Sequence, residues 1–332
     1  MNILQKIFND YYEVIKYTLH PRDSEMENID KMLNCGDPSF GGALYVCTTC
    51  HNMKFVPFRC KSRFCPTCGV KYSQERSTRM AFKLLNCTHR HCVFTIAEEL
   101  RHFFLEDRSL LNCLFRAVQS VILRMFNKMN QSQNFVPGFI CVLHTFGRPL
   151  EWNPHIHCIL SEGGFSDNAI WRPVKHFNYT YLRNAFQTAL LNEMEQHIGP
   201  SFKKIKAYIY HKDKNGFYVY AKPNLCDPNP VIKYIGRYLG RPVIALKRID
   251  SYDGENVTFH YNRHEDNAYV KRTIPAIEFI KLLIQHIPEK HFKMIRYYGL
   301  YARHRKIDAK LYRAIHQSKH RFIKGFTKWR QD

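Results

Sequence analysis

Cys47 and Cys50, then Cys65 and Cys68, form two Cys-x2-Cys pairs with fourteen residues between them. Each short turn can set two thiolates on one ion, and two such turns complete a tetrahedron around zinc. A segment tied in this way folds as a small module whose metal-binding energy is folding energy. Four thiolates leave no open coordination position, so a zinc held there is structural. Cys35, Cys60 and His51 lie in the same stretch. Cys60 is an alternative member of the main four, or Cys35 and Cys60 help to build a second site. Lys54, Arg59, Lys61 and Arg63 give the segment a positive surface suited to a DNA backbone.

Charge supports a polyanionic partner. The 332 residues carry 50 Lys+Arg against 28 Asp+Glu, a net of +22. Such a field attracts nucleic acid. Aromatic residues make up 14%, and stacking combined with phosphate neutralisation is what a single-strand binder needs. No apolar run approaches the ~18 residues of a membrane span. The N-terminal segment has acids and no small-residue cleavage site, so it does not read as a secretory signal. The expectation is a reducing cytoplasm, where paired cysteines are metal ligands before they are disulfides.

Periodicity gives the elements. Ile3, Ile7, Tyr11, Ile15 and Leu19 share helical spacing within residues 1–34. A charged helical pattern runs over Lys71–Leu85, a strand over His91–Ala97, and one long amphipathic helix over Leu100–Met129. Phe135–Phe146 and Pro154–Leu160 read as a strand hairpin around Gly147-Arg148-Pro149. Tyr179–Ile198 is helical. Ile205–Tyr210 and Phe217–Ala221 read as a hairpin around Asn215-Gly216. Pro230–Leu239 is a short helix, and Val243–Ile249 with Asn256–Tyr261 forms a last hairpin. Helices mixed with hairpins predict an α+β fold with an antiparallel sheet. From Lys290 onward there are 13 Lys+Arg and two acids.

Two further motifs carry chemistry. His155-Ile156-His157 falls on a predicted strand, where alternate side chains share a face. Both imidazoles can then point at one metal ion while Ile156 turns into the core. His144 on the preceding strand is the first candidate for a third ligand, with Glu151, Asn153 and Glu162 as rivals. Imidazole and oxygen ligands with open positions suit a divalent ion that polarises a phosphoryl oxygen. Tyr234 and Tyr238, four apart on a predicted helix, project from one face. Lys233, Arg237 and Arg241 surround them. A phenol flanked by cations can attack phosphorus and form a covalent ester.

Taken in order, these segments resemble the HUH-type rolling-circle transposases of the insertion-sequence-91 kind. CTTCHNMKFVPFRCKSRFCPTC is similar to the family's zinc region, and MLNCGDPSFGGALYVC to its lead-in. HCVFTIAEEL resembles the first catalytic strand, and VLHTFGRPLEWNPHIHCIL the HUH strand with its upstream His-Thr. YIGRYLGRP looks like the tyrosine helix, and FKMIRYYGLYARHRK the C-terminal block. Where the family's strand commonly reads His-Pro-His, this chain has Asn153-Pro154-His155.

The resemblance implies an HUH-endonuclease-like antiparallel sheet flanked by helices. It implies a zinc-binding domain over residues 1–88, a tyrosine nuclease/transposase domain over 89–262 and a basic helical region over 263–332. Tyr238 and Tyr234 would be the nucleophiles, and His155 with His157 would hold Mg²⁺ or Mn²⁺. The partner would be single-stranded DNA of element ends, alone or as hairpins. Lys61, Arg63, Lys233, Arg237 and Arg241 would bind it in the cytoplasm at the nucleoid, and the freed 3′-OH would serve host replication. A replication initiator or relaxase would share this chemistry. A zinc-ribbon DNA-binding protein would lack it, and its tyrosines would pack in a core.

Overall fold

The computed structural model describes residues 1–129, 135–174, 177–225, 242–263, 265–302 and 309–329. The chain runs through helices α1 (Ile3–Asp10) and α2 (Asp23–Leu33), strands β1 (Gly42–Val46) and β2 (Met53–Pro57), helix α3 (Pro66–Ala81) and strand β3 (His89–Phe94). Helices α4 (Arg101–Glu106) and α5 (Leu111–Met129) precede strands β4 (Phe135–Phe146), β5 (Trp152–Ser166) and β6 (Trp171–Pro173). Next come helices α6 (Tyr179–Ile198) and α7 (Lys203–Lys212), then strands β7 (Val219–Leu225), β8 (Ile249–Tyr252), β9 (Asn256–Asn262) and β10 (Tyr269–Pro275). Helix α8 (Ala276–Ile284), strand β11 (Ile295–Gly299) and helix α9 (Ala309–Trp329) finish it. The fold is α+β with antiparallel sheets flanked by helices, as the patterning predicts.

Two compact units form, each discontinuous in sequence. The first comprises Met1–Glu75, Phe146–Trp152 and Gly240–Phe292. Asn2 and Gln5 close a reciprocal capping box at the start of α1, which satisfies two orphan donors. Leu4, Ile7 and Phe8, at helical spacing, are fully buried. They join a core completed by Val257 and Phe259 of β9 and by Phe279, Ile280 and Leu283 of α8. The Phe259 and Phe279 rings lie 5.5 Å apart.

The second unit comprises Arg76–Thr145, Asn153–Leu239 and Lys293–Asp332. Its main sheet has the order β11-β4-β5-β3-β7, with β6 paired to β5. Strand β3 is antiparallel to β5 on one side and to β7 on the other. Cys92, Phe94, Ile156, Cys158 and Leu160 turn to one buried face, where Phe94 meets Phe186 of α6 at 5.1 Å. On the opposite face Ile140, Val142 and Ile159 pack with Leu311 and Ile315 of α9. Arg90 and Glu162 form an almost buried ion pair at 2.7 Å.

Three expectations differ. The helix expected over Leu100–Met129 is broken, because the Asp107 side chain accepts from the backbone N–H of Ser109 and caps a new turn. Ile205–Tyr210 is not a strand: Lys203–Lys212 is helical, so Asn215-Gly216 closes a helix-to-strand turn. A side chain at Gly216 (φ +75°) would meet the Arg183 backbone at 2.5 Å. Val243–Ile249 is not a strand: a 3-10 turn at Leu246–Arg248 leads into β8 at Ile249–Tyr252, which pairs with β9, and β10 adds a third strand. The helix expected over Pro230–Leu239 lies outside the described residues.

Phe279→Ala removes a fully buried ring and is expected to cost about 3–5 kcal/mol. A urea titration that shows less than about 1 kcal/mol would contradict this core assignment. Burial holds buried His89 down at about 4 from its ordinary 6.5. The unfolded chain therefore binds this proton first. Its contribution is complete above pH 6.5 and is lost as pH falls toward 4, up to about 3 kcal/mol. Urea midpoints should fall between pH 7.5 and 5, and His89→Gln should flatten that slope.

Candidate metal centres

Three groups of potential ligands occur among the described residues. The first is Cys35, Cys60, Cys65 and Cys68, whose sulfurs all lie within 4.8 Å of one another. Cys35 Sγ is 3.6 Å from Cys68 Sγ. Thiolates about 2.3 Å from a tetrahedral zinc stand about 3.8 Å apart, so the spacing fits. The Cys65 thiol is drawn down to about 5, first by a hydrogen bond from Cys60 and then by the backbone N–H groups of Cys68 and Thr67. Gly69 N–H closes this turn on the Cys65 carbonyl at 2.7 Å.

The structure brings together two of the four expected zinc ligands and the two cysteines offered as alternatives. Cys65 and Cys68 are joined by Cys35 and Cys60, not by Cys47 and Cys50. Strands β1 and β2 pair from Gly42↔Pro57 to Val46↔Met53. Four residue steps carry the hairpin tip about 13 Å from its base. Cys47 and Cys50 sit at that tip and are exposed. Their turn is nonetheless ordered: the His51 N–H donates to the Cys47 carbonyl at 2.9 Å. The Cys47 thiol is lowered to about 7 by the backbone N–H groups of Cys50 and Thr49.

The second group is His144, His155 and His157. Strand alternation puts His155 and His157 on one face, while Ile156 is fully buried on the other. Their Nε2 atoms are 3.1 Å apart. The His144 ring on β4 is 4.5 Å from that of His157 and 5.6 Å from that of His155. Two ligands about 2.1 Å from a cation and at right angles lie about 3 Å apart, the separation seen here. Burial, the main cause, lowers the proton affinity of both His155 and His157. Both are therefore neutral and able to ligate at neutral pH.

Of the rivals to His144, Glu162 is engaged by Arg90. Glu151 is exposed and 3.4 Å from Arg272. Asn153 places its carbonyl 2.7 Å from His155 Nδ1. Its side-chain oxygen is buried without a hydrogen-bond partner among the described residues, two residues before His155. The strand reading of His91–Ala97 passed over His91, whose Nε2 lies 3.0 Å from His157 Nδ1. The alternation His89-Arg90-His91 is the signal that would have found it.

The third group, Cys113, Glu193 and His197, already holds a cation. The Arg116 guanidinium donates to Glu193 at 2.5 Å, to Cys113 at 3.3 Å and to His197. It is a clamp between α5 and α6. Lys61 is exposed, and the Arg63 guanidinium lies 5.5 Å from the Tyr72 ring centroid. Tyr234, Tyr238, Lys233, Arg237 and Arg241 lie outside the described residues.

Zinc content separates the two cysteine sets. Cys60→Ser and Cys65→Ser should each lose bound zinc by mass spectrometry of the metal, whereas Cys47→Ser should keep the Cys35–Cys68 ion. Equal loss in Cys47→Ser and Cys60→Ser would return Cys47 to that site.

One described helix, Arg108–Lys128, is long and apolar enough to cross a membrane. Leu114, Phe115, Val118, Val121 and Ile122 on it are buried within the protein. Residues 138–308 match the family described as "Putative transposase", and residues 7–96 match the "Transposase zinc-binding domain". The chain is 29% identical over 296 residues to the transposase for insertion sequence element IS801 of Pseudomonas savastanoi pv. phaseolicola, covering 85% of this chain and 71% of that one. It is also 29% identical over 286 residues to "Putative transposase y4qJ" of Sinorhizobium fredii, covering 80% and 71%. No solved structure matches. The four-cysteine group thus falls within a zinc-binding domain and the histidine group within a transposase domain, and the chain belongs to the insertion-sequence-91 type of transposases.

Proposed function

We propose that this transposase nicks and rejoins single-stranded DNA through a 5′-phosphotyrosine bond, in rolling-circle-type transposition. The observation that carries the reading is the paired Nε2 atoms of His155 and His157, 3.1 Å apart with His144 beside them. His155, His157 and His144 would hold Mg²⁺ or Mn²⁺, which supplies charge that polarises a phosphoryl oxygen. Tyr238, with Tyr234 as its partner, is the nucleophile. As the phenol oxygen bonds to phosphorus, the bond from phosphorus to the 3′ oxygen breaks. The phenol proton passes to solvent and the departing 3′ oxygen takes one up. Phosphoryl bond energy is retained in the tyrosine ester, so a 3′-OH can reverse the step without a nucleotide cofactor. The second tyrosine would hold the other DNA end.

The net charge of +22 supports binding of the strand. Lys61, Arg63, Lys233, Arg237 and Arg241 would neutralise phosphates, so affinity should fall steeply with salt. Element-end DNA is the expected substrate, with host replication extending the freed 3′-OH. A replication initiator or relaxase would use the same chemistry, but the zinc-binding domain and the relatives favour transposition. A purely DNA-binding role would leave the clustered imidazoles without a task.

The test is a denaturing gel of protein with labelled single-stranded element-end DNA and Mn²⁺. A protein-linked DNA band is expected, lost in the Tyr234→Phe/Tyr238→Phe double variant and reduced at least about 100-fold in His155→Ala. Filter binding of His155→Ala should stay near wild type. A band that persists in the double variant excludes these nucleophiles, and tight binding with no covalent band favours the DNA-binding reading.

A further inference from the structure

His91 touches the histidine cluster without belonging to it. Its Nε2 is 3.0 Å from His157 Nδ1, with the ring planes only 11° apart and the centroids at 5.3 Å. It is not among the three residues whose ligand atoms gather within 4.8 Å. His155 makes a parallel arrangement through its own Nδ1, 2.7 Å from the Asn153 carbonyl oxygen. Both residues therefore turn Nδ1 outward to a partner and Nε2 toward each other.

That pattern has a chemical reason. An imidazole that binds a cation through Nε2 must carry its proton on Nδ1, and that proton needs an acceptor. A carbonyl can only accept, so Asn153 fixes the His155 tautomer outright. At His157 the group beside Nδ1 is a side-chain nitrogen, His91 Nε2, at 3.0 Å. His91 Nε2 accepts when the His91 proton resides on Nδ1. The sheet holds His91 in place. β3 pairs with β5 and places His91 opposite Ile159, one step along the same face from His157. The Tyr220 ring stands edge-on at 6.3 Å, and His91 is buried.

We propose that His91 is a positioning residue: it accepts a hydrogen bond from His157 Nδ1–H and so holds His157 in the tautomer that presents Nε2 to a divalent cation. This rests on the metal reading proposed above. If His91 were instead a ligand, an amide in its place would bind a cation poorly. If it only filled space, an aromatic ring of similar size would serve as well.

The experiment is a Mn²⁺ titration of the full chain by electron paramagnetic resonance, run on wild type, His155→Ala, His91→Phe and His91→Gln. It is paired with long-range ¹H–¹⁵N correlation of the metal-free histidines. His91→Phe should weaken Mn²⁺ binding by roughly 10- to 100-fold and move the His157 proton toward Nε2. His91→Gln, whose amide oxygen can reach the place of Nε2, should restore most of the affinity and the Nδ1–H tautomer. Should His91→Phe not fold, the glutamine variant and the wild-type tautomer decide alone. Wild-type affinity in His91→Phe, equal losses in both His91 variants, or a wild-type His157 protonated on Nε2 would each overturn the proposal. If His155→Ala also leaves Mn²⁺ binding intact, the metal reading itself fails and the role of His91 falls with it.

Discussion

The pleat of β5 is the constraint on which the rest of the second unit depends. One strand must send Ile156, Cys158 and Leu160 into an apolar face and His155 and His157 to the other. A one-residue slip would exchange the two sets and bury imidazoles in the apolar face. Pairing with β3 fixes the register from His89↔Ser161 to Phe94↔Ile156. The apolar face thus sets the position of the polar one, and the histidines inherit the precision of the core. Packing of Ile159 against Ile140 and Val142 secures the same strand from the histidine side.

Desolvation gives the cluster its chemical character. Several imidazoles at close range in a buried place cannot all carry charge, and burial is the main force that keeps His91, His155 and His157 neutral. Neutral rings whose Nε2 atoms stand 3.1 Å apart can form a cation site once their protons sit on Nδ1. The zinc module solves a similar problem with thiols. There, a hydrogen bond from Cys60, then backbone N–H groups at the turn of Cys65-x2-Cys68, draw the Cys65 thiol down. The same turn geometry at Cys47-x2-Cys50 shows that it is local to the motif, whereas the gathering of four sulfurs is decided by the longer chain path.

That difference explains what the sequence made legible. Alternation and spacing are local, so the His155–His157 face, the facing strand with His144 and the α+β class were readable. Ligand partnership between distant cysteines was not, because it depends on which way the β1–β2 hairpin points. Lys203–Lys212 was misread because Ile205, Ala207 and Ile209 alternate like a strand while also fitting a helix. Asp107 was missed as a cap inside an otherwise continuous apolar stripe. His91 is a different case: the His89-Arg90-His91 alternation marks a polar face, but only the register sets His91 against His157.

The most direct measurement of the central claim is electron spin-echo envelope modulation of Mn²⁺ bound to the full chain. The account predicts one tight Mn²⁺ with modulation from two or three imidazole nitrogens, reduced in number by His157→Ala. A bound Mn²⁺ with no nitrogen modulation would contradict it and leave the histidine face without its proposed cation.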